Sequence, residues 1–188
     1  MTDKLKCIFI HGNGGGSVFD HWFPWLKNEL EKLDLSVISR DFPDRELARQ
    51  DIWLPFLKNE LKADTSTIII GHSSGALAAM RYAEKYSIYA SVLVGAPYTD
   101  LGDENERLSG YYDRPWNWSR IKANQKWILQ FHSPDDPYIP IEEARFIHQQ
   151  LDSEYYELPN RQHFGGEGDQ DQKTFPELLE ALKKKIGT

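Results

Sequence analysis

Cysteine is almost absent from this chain. Cys7 is the only one in 188 residues, which excludes an internal disulfide and any multi-cysteine metal site. An excess of positive charge is missing too. Lys and Arg number 22 against 29 Asp and Glu, a formal charge of −7, so a surface built for nucleic acid is not expected. No apolar run approaches the roughly 18 residues of a membrane span. The opening Met1-Thr2-Asp3-Lys4-Leu5-Lys6 lacks the pattern of a secretory signal. These absences together predict a cytoplasmic protein with neither nucleic-acid nor membrane partners. Internal repeats and low-complexity linkers are also lacking. What is present is a globular balance of 40% hydrophobic and 27% charged residues, with 13% aromatics, too aromatic for a disordered chain. The length predicts one domain over 1–188 that buries roughly 70% of its unfolded surface.

Short β-branched runs alternate with stretches of helical period. Strands are predicted at 6–11, 35–40, 66–71, 89–95, 126–131 and 154–158. Ile68-Ile69-Ile70 and Val92-Leu93-Val94 are continuous apolar triplets, the mark of central strands covered on both faces. Phe19, Trp22, Phe23, Leu26, Leu30 and Leu33 recur at helical spacing with Pro24 near the first turn. Ile52, Trp53, Phe56, Leu57 and Leu61 form a second stripe that Pro55 is placed to kink. Ala144, Ile147, His148 and Leu151 sketch a helix after Pro140, and Phe175, Leu178, Leu179, Leu182 and Ile186 a last one. Thr174 with Glu177 three residues on reads as a capping box for it. Such alternation predicts an α/β fold: a mostly parallel sheet of about six strands with helices on both faces. Three irregular stretches, 12–17, 98–118 and 160–173, each follow a predicted strand. Each therefore falls at the carboxyl edge of the sheet, where open α/β folds bind ligands.

Ile70-Gly71-His72-Ser73-Ser74-Gly75-Ala76 lies where an apolar strand gives way to a helical run. That is the strand–turn–helix setting of a Gly-x-Ser-x-Gly nucleophile elbow. The turn strains the nucleophile's backbone, so its neighbours two residues either side must be tiny. Ser73, centred between the glycines, is the candidate nucleophile, and Ser74 is placed to lend its backbone N–H to an oxyanion. A second donor belongs on the loop after an early strand. His11-Gly12-Asn13-Gly14-Gly15-Gly16-Ser17 occupies that place, with the Asn13 N–H first choice, Gly14 second, and His11 a support. A dinucleotide loop would need glycine where Ser17 stands, and no Gly-Lys-Ser/Thr follows.

A serine nucleophile needs a base and an acid that fixes the base's tautomer, in the order Ser, Asp/Glu, His. Phe131-His132-Ser133-Pro134-Asp135-Asp136-Pro137 follows the fifth strand and supplies two candidate acids that chemistry alone does not separate. After the last strand, Pro159-Asn160-Arg161-Gln162-His163-Phe164 offers one histidine, His163, as the base. Asp100, Asp103, Glu104 and Glu106 read as a solvated acidic turn without calcium-loop spacing. Tyr111, Tyr112 and Trp116 fit equally well as packing under a long loop or as the wall of a substrate pocket. No metal and no cofactor is expected.

Several runs look familiar. Gly12-Asn13-Gly14-Gly15-Gly16, Ile52-Trp53-Leu54-Pro55-Phe56 and Gly71-His72-Ser73-Ser74-Gly75 resemble the retinoblastoma-binding protein 9 family. So do Met80-Arg81-Tyr82-Ala83-Glu84, Leu101-Gly102-Asp103-Glu104-Asn105-Glu106-Arg107 and Asp135-Asp136-Pro137. The resemblance implies a small serine hydrolase of the α/β-hydrolase fold without a large cap domain, its nucleophile, acid and base on Ser73, Asp136 and His163. Two departures stand out. The family namesake's Leu-x-Cys-x-Glu motif is replaced by Leu61-Lys62-Ala63-Asp64-Thr65, so binding to the retinoblastoma pocket is not carried over. The tail Gly165-Gly166-Glu167-Gly168-Asp169-Gln170 is also unlike the namesake and bears on access to the site.

The leading expectation is therefore a serine hydrolase cleaving a small ester or amide through an acyl-enzyme. An aminopeptidase-like amidase acting on short peptides is the variant within that class, with an acidic group near Ser73 to hold the substrate's amine. The alternative is a non-catalytic adapter on a hydrolase scaffold, using the 98–118 stretch as its partner surface. With so little length beyond strands and helices, a shallow site is expected.

Overall fold

The six predicted strands all form, and all pair in parallel. They are β1 (Lys6–Ile10), β2 (Ser36–Ile38), β3 (Thr67–His72), β4 (Ala90–Val94), β5 (Ile128–His132) and β6 (Glu154–Glu157), in the order β2-β1-β3-β4-β5-β6. The computed structural model describes residues 4–165 and 172–187. Alternation along each strand divides the core in two. Ile8, Ile10, Ile69 and Leu93 face one layer. Cys7, Phe9, Ile68, Ile70, Val92, Val94, Leu129 and Phe131 face the other. The first layer is covered by α2 (Gln50–Pro55), α3 (Ser74–Lys85), α5 (Trp118–Ala123) and α6 (Ile141–Leu151). The second is covered by α1 (Phe23–Lys32) and α7 (Pro176–Ile186). This is the six-stranded, two-faced α/β-hydrolase fold, with no large cap domain among the described residues.

Chain order reverses between β1 and β3: the chain leaves β1 for β2, then crosses back to β3. At such a switch point the loops leaving adjacent strands diverge and open a crevice at the carboxyl ends. The loops after β1 and β3 carry the Gly12–Gly16 run and Ser73.

Several expectations shift. The first helix starts at Phe23 with Pro24 in its first turn, not at Phe19, which is 69% exposed. Pro55 kinks the second stripe as its missing N–H requires: α2 ends there, and 56–60 continue as a π-turn closed by Leu61 N–H to Phe56 O at 3.1 Å. The capping box at Thr174 does not form. Phe175 is the N-cap, without a side-chain cap bond, and Glu177 instead accepts from Arg161. The 98–118 stretch contains a short helix, α4 (Glu104–Leu108), capped by the Asp103 carboxylate on Glu106 N–H at 3.0 Å. Of the tail after the predicted base, residues 166–170 lie outside the described residues. Among the described residues, no helix is long and apolar enough to cross a membrane.

Candidate active site

The elbow is built where β3 meets α3. Ser73 has φ 54° and ψ −120°, a strained conformation for a residue with a side chain. Its neighbours explain why the strain persists. A Cβ on Gly71 would sit 2.3 Å from Gly75 O, and one on Gly75 would sit 2.2 Å from Ile10 O. Backbone therefore meets backbone on both sides of the serine, and only glycine fits. Ser73 N–H donates to Val94 O at 2.9 Å, fastening the turn to β4. Gly12 packs directly beside it, a Cβ there lying 3.7 Å from Ser73 Oγ.

The loop after β1 is held by one internal backbone bond and by bonds to the 42–46 segment. His11 lies beneath it, with Nδ1 2.7 Å from Gly12 O and Nε2 accepting from Phe42 N–H at 3.0 Å. These two bonds fix the tautomer with the proton on Nδ1. Burial lowers its pKa, which keeps that neutral form. Gly14, Gly15 and Gly16 donate to Glu46 O, Arg45 O and Asn13 O. Among the described residues the Asn13 N–H, by contrast, donates to no backbone carbonyl. The second-choice donor, Gly14, thus has its N–H engaged elsewhere. Ser74, first residue of α3, presents one of the first-turn N–H groups that a helix leaves unused.

His163 and Asp136 meet as the sequence order predicts. His163 Nδ1 lies 2.8 Å from Asp136 Oδ2. The other carboxylate oxygen accepts from Tyr138 N–H at 2.9 Å and Ile139 N–H at 3.0 Å. Burial works to raise the Asp136 pKa, but the His163 bond and charge and the two amides outweigh it and hold it below the ordinary range. Asp135 is turned away. It accepts from Ser133 Oγ and, at 3.1 Å, from Asn160 N–H. Gly95, unmarked by any sequence motif, makes room for the pair: its φ is +56°, and a Cβ would lie 3.1 Å from His163 Cε1.

Ser73, His163, Asn13 and Gly14 all line one cleft of about 1030 Å³. Residues of the 97–106 segment with Pro137, Tyr138 and Ile139 form part of its walls. The lining carries Asp20, Glu46, Asp100, Asp103 and Glu106, and among the described lining residues no Lys or Arg. Glu106 is not the solvated carboxylate expected. It is half-buried, accepting from Asn13 Nδ2 at 2.7 Å and Tyr112 Oη at 3.2 Å. Burial raises its pKa against those two bonds.

Tyr111, Tyr112 and Trp116, proposed as substrate contacts, are not among the cleft-lining residues. Tyr111 is wholly buried, Trp116 stacks under the Arg81 guanidinium at 3.6 Å and donates to Tyr98 O, and Tyr112 packs on the core and donates to Glu106. The 98–118 stretch divides: its first part is cleft wall and its second part is core. His72, adjacent to the nucleophile, reads from the sequence only as a structural part of the elbow. His72 is buried, with Nε2 2.7 Å from His163 O, and its position beside Ser73 was the only available signal.

A protein-family model described as serine hydrolase matches residues 7–184. The chain is 45% identical over 188 residues to Serine hydrolase RBBP9 of Rattus norvegicus, spanning 99% of this chain and 98% of that protein. Among solved structures, the ydeN gene product of B. subtilis superposes with a TM-score of 0.85 at 23% identity, over 98% of this chain and 100% of that one. Est1E from Butyrivibrio proteoclasticus, solved with ferulic acid bound, gives a TM-score of 0.73 at 17% identity, over 97% and 88%. At those identities the two structures speak to the fold.

Proposed function

The chain belongs to the serine hydrolase family and is a hydrolase, and from that premise we propose that it cleaves small esters or amides through Ser73, His163 and Asp136. The observation that carries the reading is the 2.8 Å His163–Asp136 bond, beside a serine held in an elbow that only glycines permit. In the first half-reaction His163 Nε2 takes the Ser73 Oγ proton as Oγ bonds to the substrate carbonyl carbon. The carbonyl oxygen becomes an oxyanion facing the Asn13 and Ser74 N–H groups, each such donor being worth about 3 kcal/mol in the transition state. The intermediate collapses, His163 returns the proton to the leaving group, and the acyl group stays on Ser73. Water, deprotonated by His163, then attacks the acyl-enzyme; the bond to Ser73 Oγ breaks, Oγ takes the proton back from His163, and the acid leaves. Asp136 holds the imidazole with its proton on Nδ1 and stabilises the imidazolium. The cycle requires a hydrogen bond from Ser73 Oγ to His163 Nε2 in the Michaelis complex.

The second reading sharpens the substrate class. Glu106 and the acids around it favour a substrate with a cationic group, as an aminoacyl ester, aminoacyl amide or short peptide would present through its amine. Cys7, buried with its thiol pushed up to about 12 by desolvation, is inert, in keeping with a reducing compartment such as the cytoplasm. A fluorophosphonate probe tests the nucleophile. Wild type is expected to label and Ser73→Ala not to, with kcat falling about six orders of magnitude. Equal labelling of both overturns the assignment.

A further inference from the structure

The loop that carries His163 adopts an unusual backbone. Asn160, Gln162 and Phe164 have φ of 60°, 47° and 59°, so side-chain-bearing residues occupy the left-handed region on both sides of the histidine. Such conformations are uncommon outside glycine and persist where their surroundings over-determine them. At the start of the loop the restraint comes from the loop that follows β5. Asp135 takes Asn160 N–H at 3.1 Å, and Ser133 Oγ takes Arg161 N–H at 3.1 Å. Further along, two buried rings take over. His72 Nε2 meets His163 O at 2.7 Å, and Trp22 Nε1 meets Phe164 O at 2.9 Å.

We propose that His72 and Trp22 form a two-donor clamp that positions the general base, His72 acting from the residue next to the nucleophile and Trp22 from the entry to α1. The proposal rests on the Ser73–Asp136–His163 reading. A carbonyl only accepts, so His72 must carry its proton on Nε2. Burial, then the neighbouring His163, push His72 down to about 3, so it stays the neutral donor throughout the working range. The titratable groups facing it are His163, His21 and Asp136. The His72 ring centroid lies 4.8 Å from that of His163 and 6.3 Å from that of Trp22, so the three rings pack in one row. Trp22 and Phe164 both pack on Phe175, at 5.5 and 5.1 Å, which ties the clamp to the layer under α7. The elbow therefore does two jobs through adjacent residues: Ser73 supplies the nucleophile, and His72 fixes the backbone of the base that activates it.

Both rings act through the backbone carbonyls of the His163 loop, so both are positioning residues. The test compares steady-state kinetics on a neutral p-nitrophenyl ester for wild type, His72→Leu, His72→Gln and Trp22→Phe. Losing the His72 donor is expected to lower kcat about 10- to 100-fold with KM nearly unchanged, the size of effect that a small misplacement of a catalytic group produces. His72→Gln, which keeps an N–H donor, is expected to recover most of that loss. Trp22→Phe keeps an aromatic ring but loses the N–H and part of the indole volume, and is expected to lower kcat in the same way should His72→Leu not fold. Wild-type kcat in both donor-deleted variants, or no rescue by His72→Gln in folded protein, overturns the clamp alone. Fluorophosphonate labelling that persists in Ser73→Ala overturns the triad, and the clamp with it.

Discussion

The proposed preference for a cationic substrate rests at the residue scale on Glu106. Its carboxylate is held by Asn13 Nδ2 and Tyr112 Oη in a cleft whose other charged lining residues are also acidic. An approaching ammonium meets attraction with little nearby compensation, a contribution of about 1–2 kcal/mol in a partly solvated site. Glu106→Gln keeps an oxygen for Asn13 and removes only the charge. It is expected to lower kcat/KM on an aminoacyl amide about tenfold while leaving a matched neutral ester nearly unchanged. An equal loss on both substrates would mean that Glu106 acts only through the Asn13 loop. Because burial raises its pKa, the preference for amines should fade on acidification sooner than an ordinary glutamate would allow. This residue was legible as an acid near the site but not as a buried one, since no local pattern reports a partner 93 positions away. Asp135 and Asp136 illustrate the same limit. Adjacent and chemically identical, they are separated only by fold: one reaches the His163 ring, the other the backbone of its loop.

The strands and the elbow were readable because their signals are local: apolar period, β-branching, and glycines at fixed offsets. The 98–118 segment was not, because long-range contacts hold it. Arg81, wholly buried on α3, donates to Tyr111 O, Arg114 O and Pro115 O and pairs with Glu84 at 2.7 Å. Glu84 in turn takes Arg114 at 2.9 Å and Asn117 N–H at 2.8 Å. From α6, buried Glu143 accepts Tyr98 N–H and Thr99 N–H at 2.7 and 2.9 Å. Two helices thus fasten a segment with little regular structure of its own, and its first part becomes cleft wall. Removing Arg81 leaves Glu84 only the more exposed Arg114 as a cation and strips the donor from three backbone carbonyls, a combined cost of about 3–5 kcal/mol. Arg81→Met should therefore lower the unfolding free energy by about that much in urea titrations. A loss under about 1 kcal/mol would show that the backbone carbonyls and Glu84 find other partners.

Across the whole molecule, three buried histidines give the fold a common response to acid. His11, His72 and His132 all have pKa values lowered chiefly by burial, and all three pack near the carboxyl edge of the sheet. Each binds a proton more readily in the unfolded chain, so unfolding gains protons as pH falls and stability drops with it. For His72 the window runs from its unfolded value, about 6.5, down to about 3 in the fold. At pH 5 His72 alone costs about 2 kcal/mol, which for a chain of this size lowers Tm by about 4–8 °C. The lowered carboxylates act later. Asp64, held at about 2 by hydrogen bonds from Ser66 and Lys6 that outweigh burial, gives up its contribution only below about pH 4. The net charge of −7 works the other way, since protonating exposed groups relieves repulsion, but those charges are screened by salt and the buried histidines are not. Thermal melts at physiological ionic strength should therefore show Tm falling between pH 7 and pH 5, before most carboxylates titrate, with a shallower fall in His72→Gln. A Tm that stays level over that interval would mean that these imidazoles take up protons in the fold as easily as in the unfolded chain.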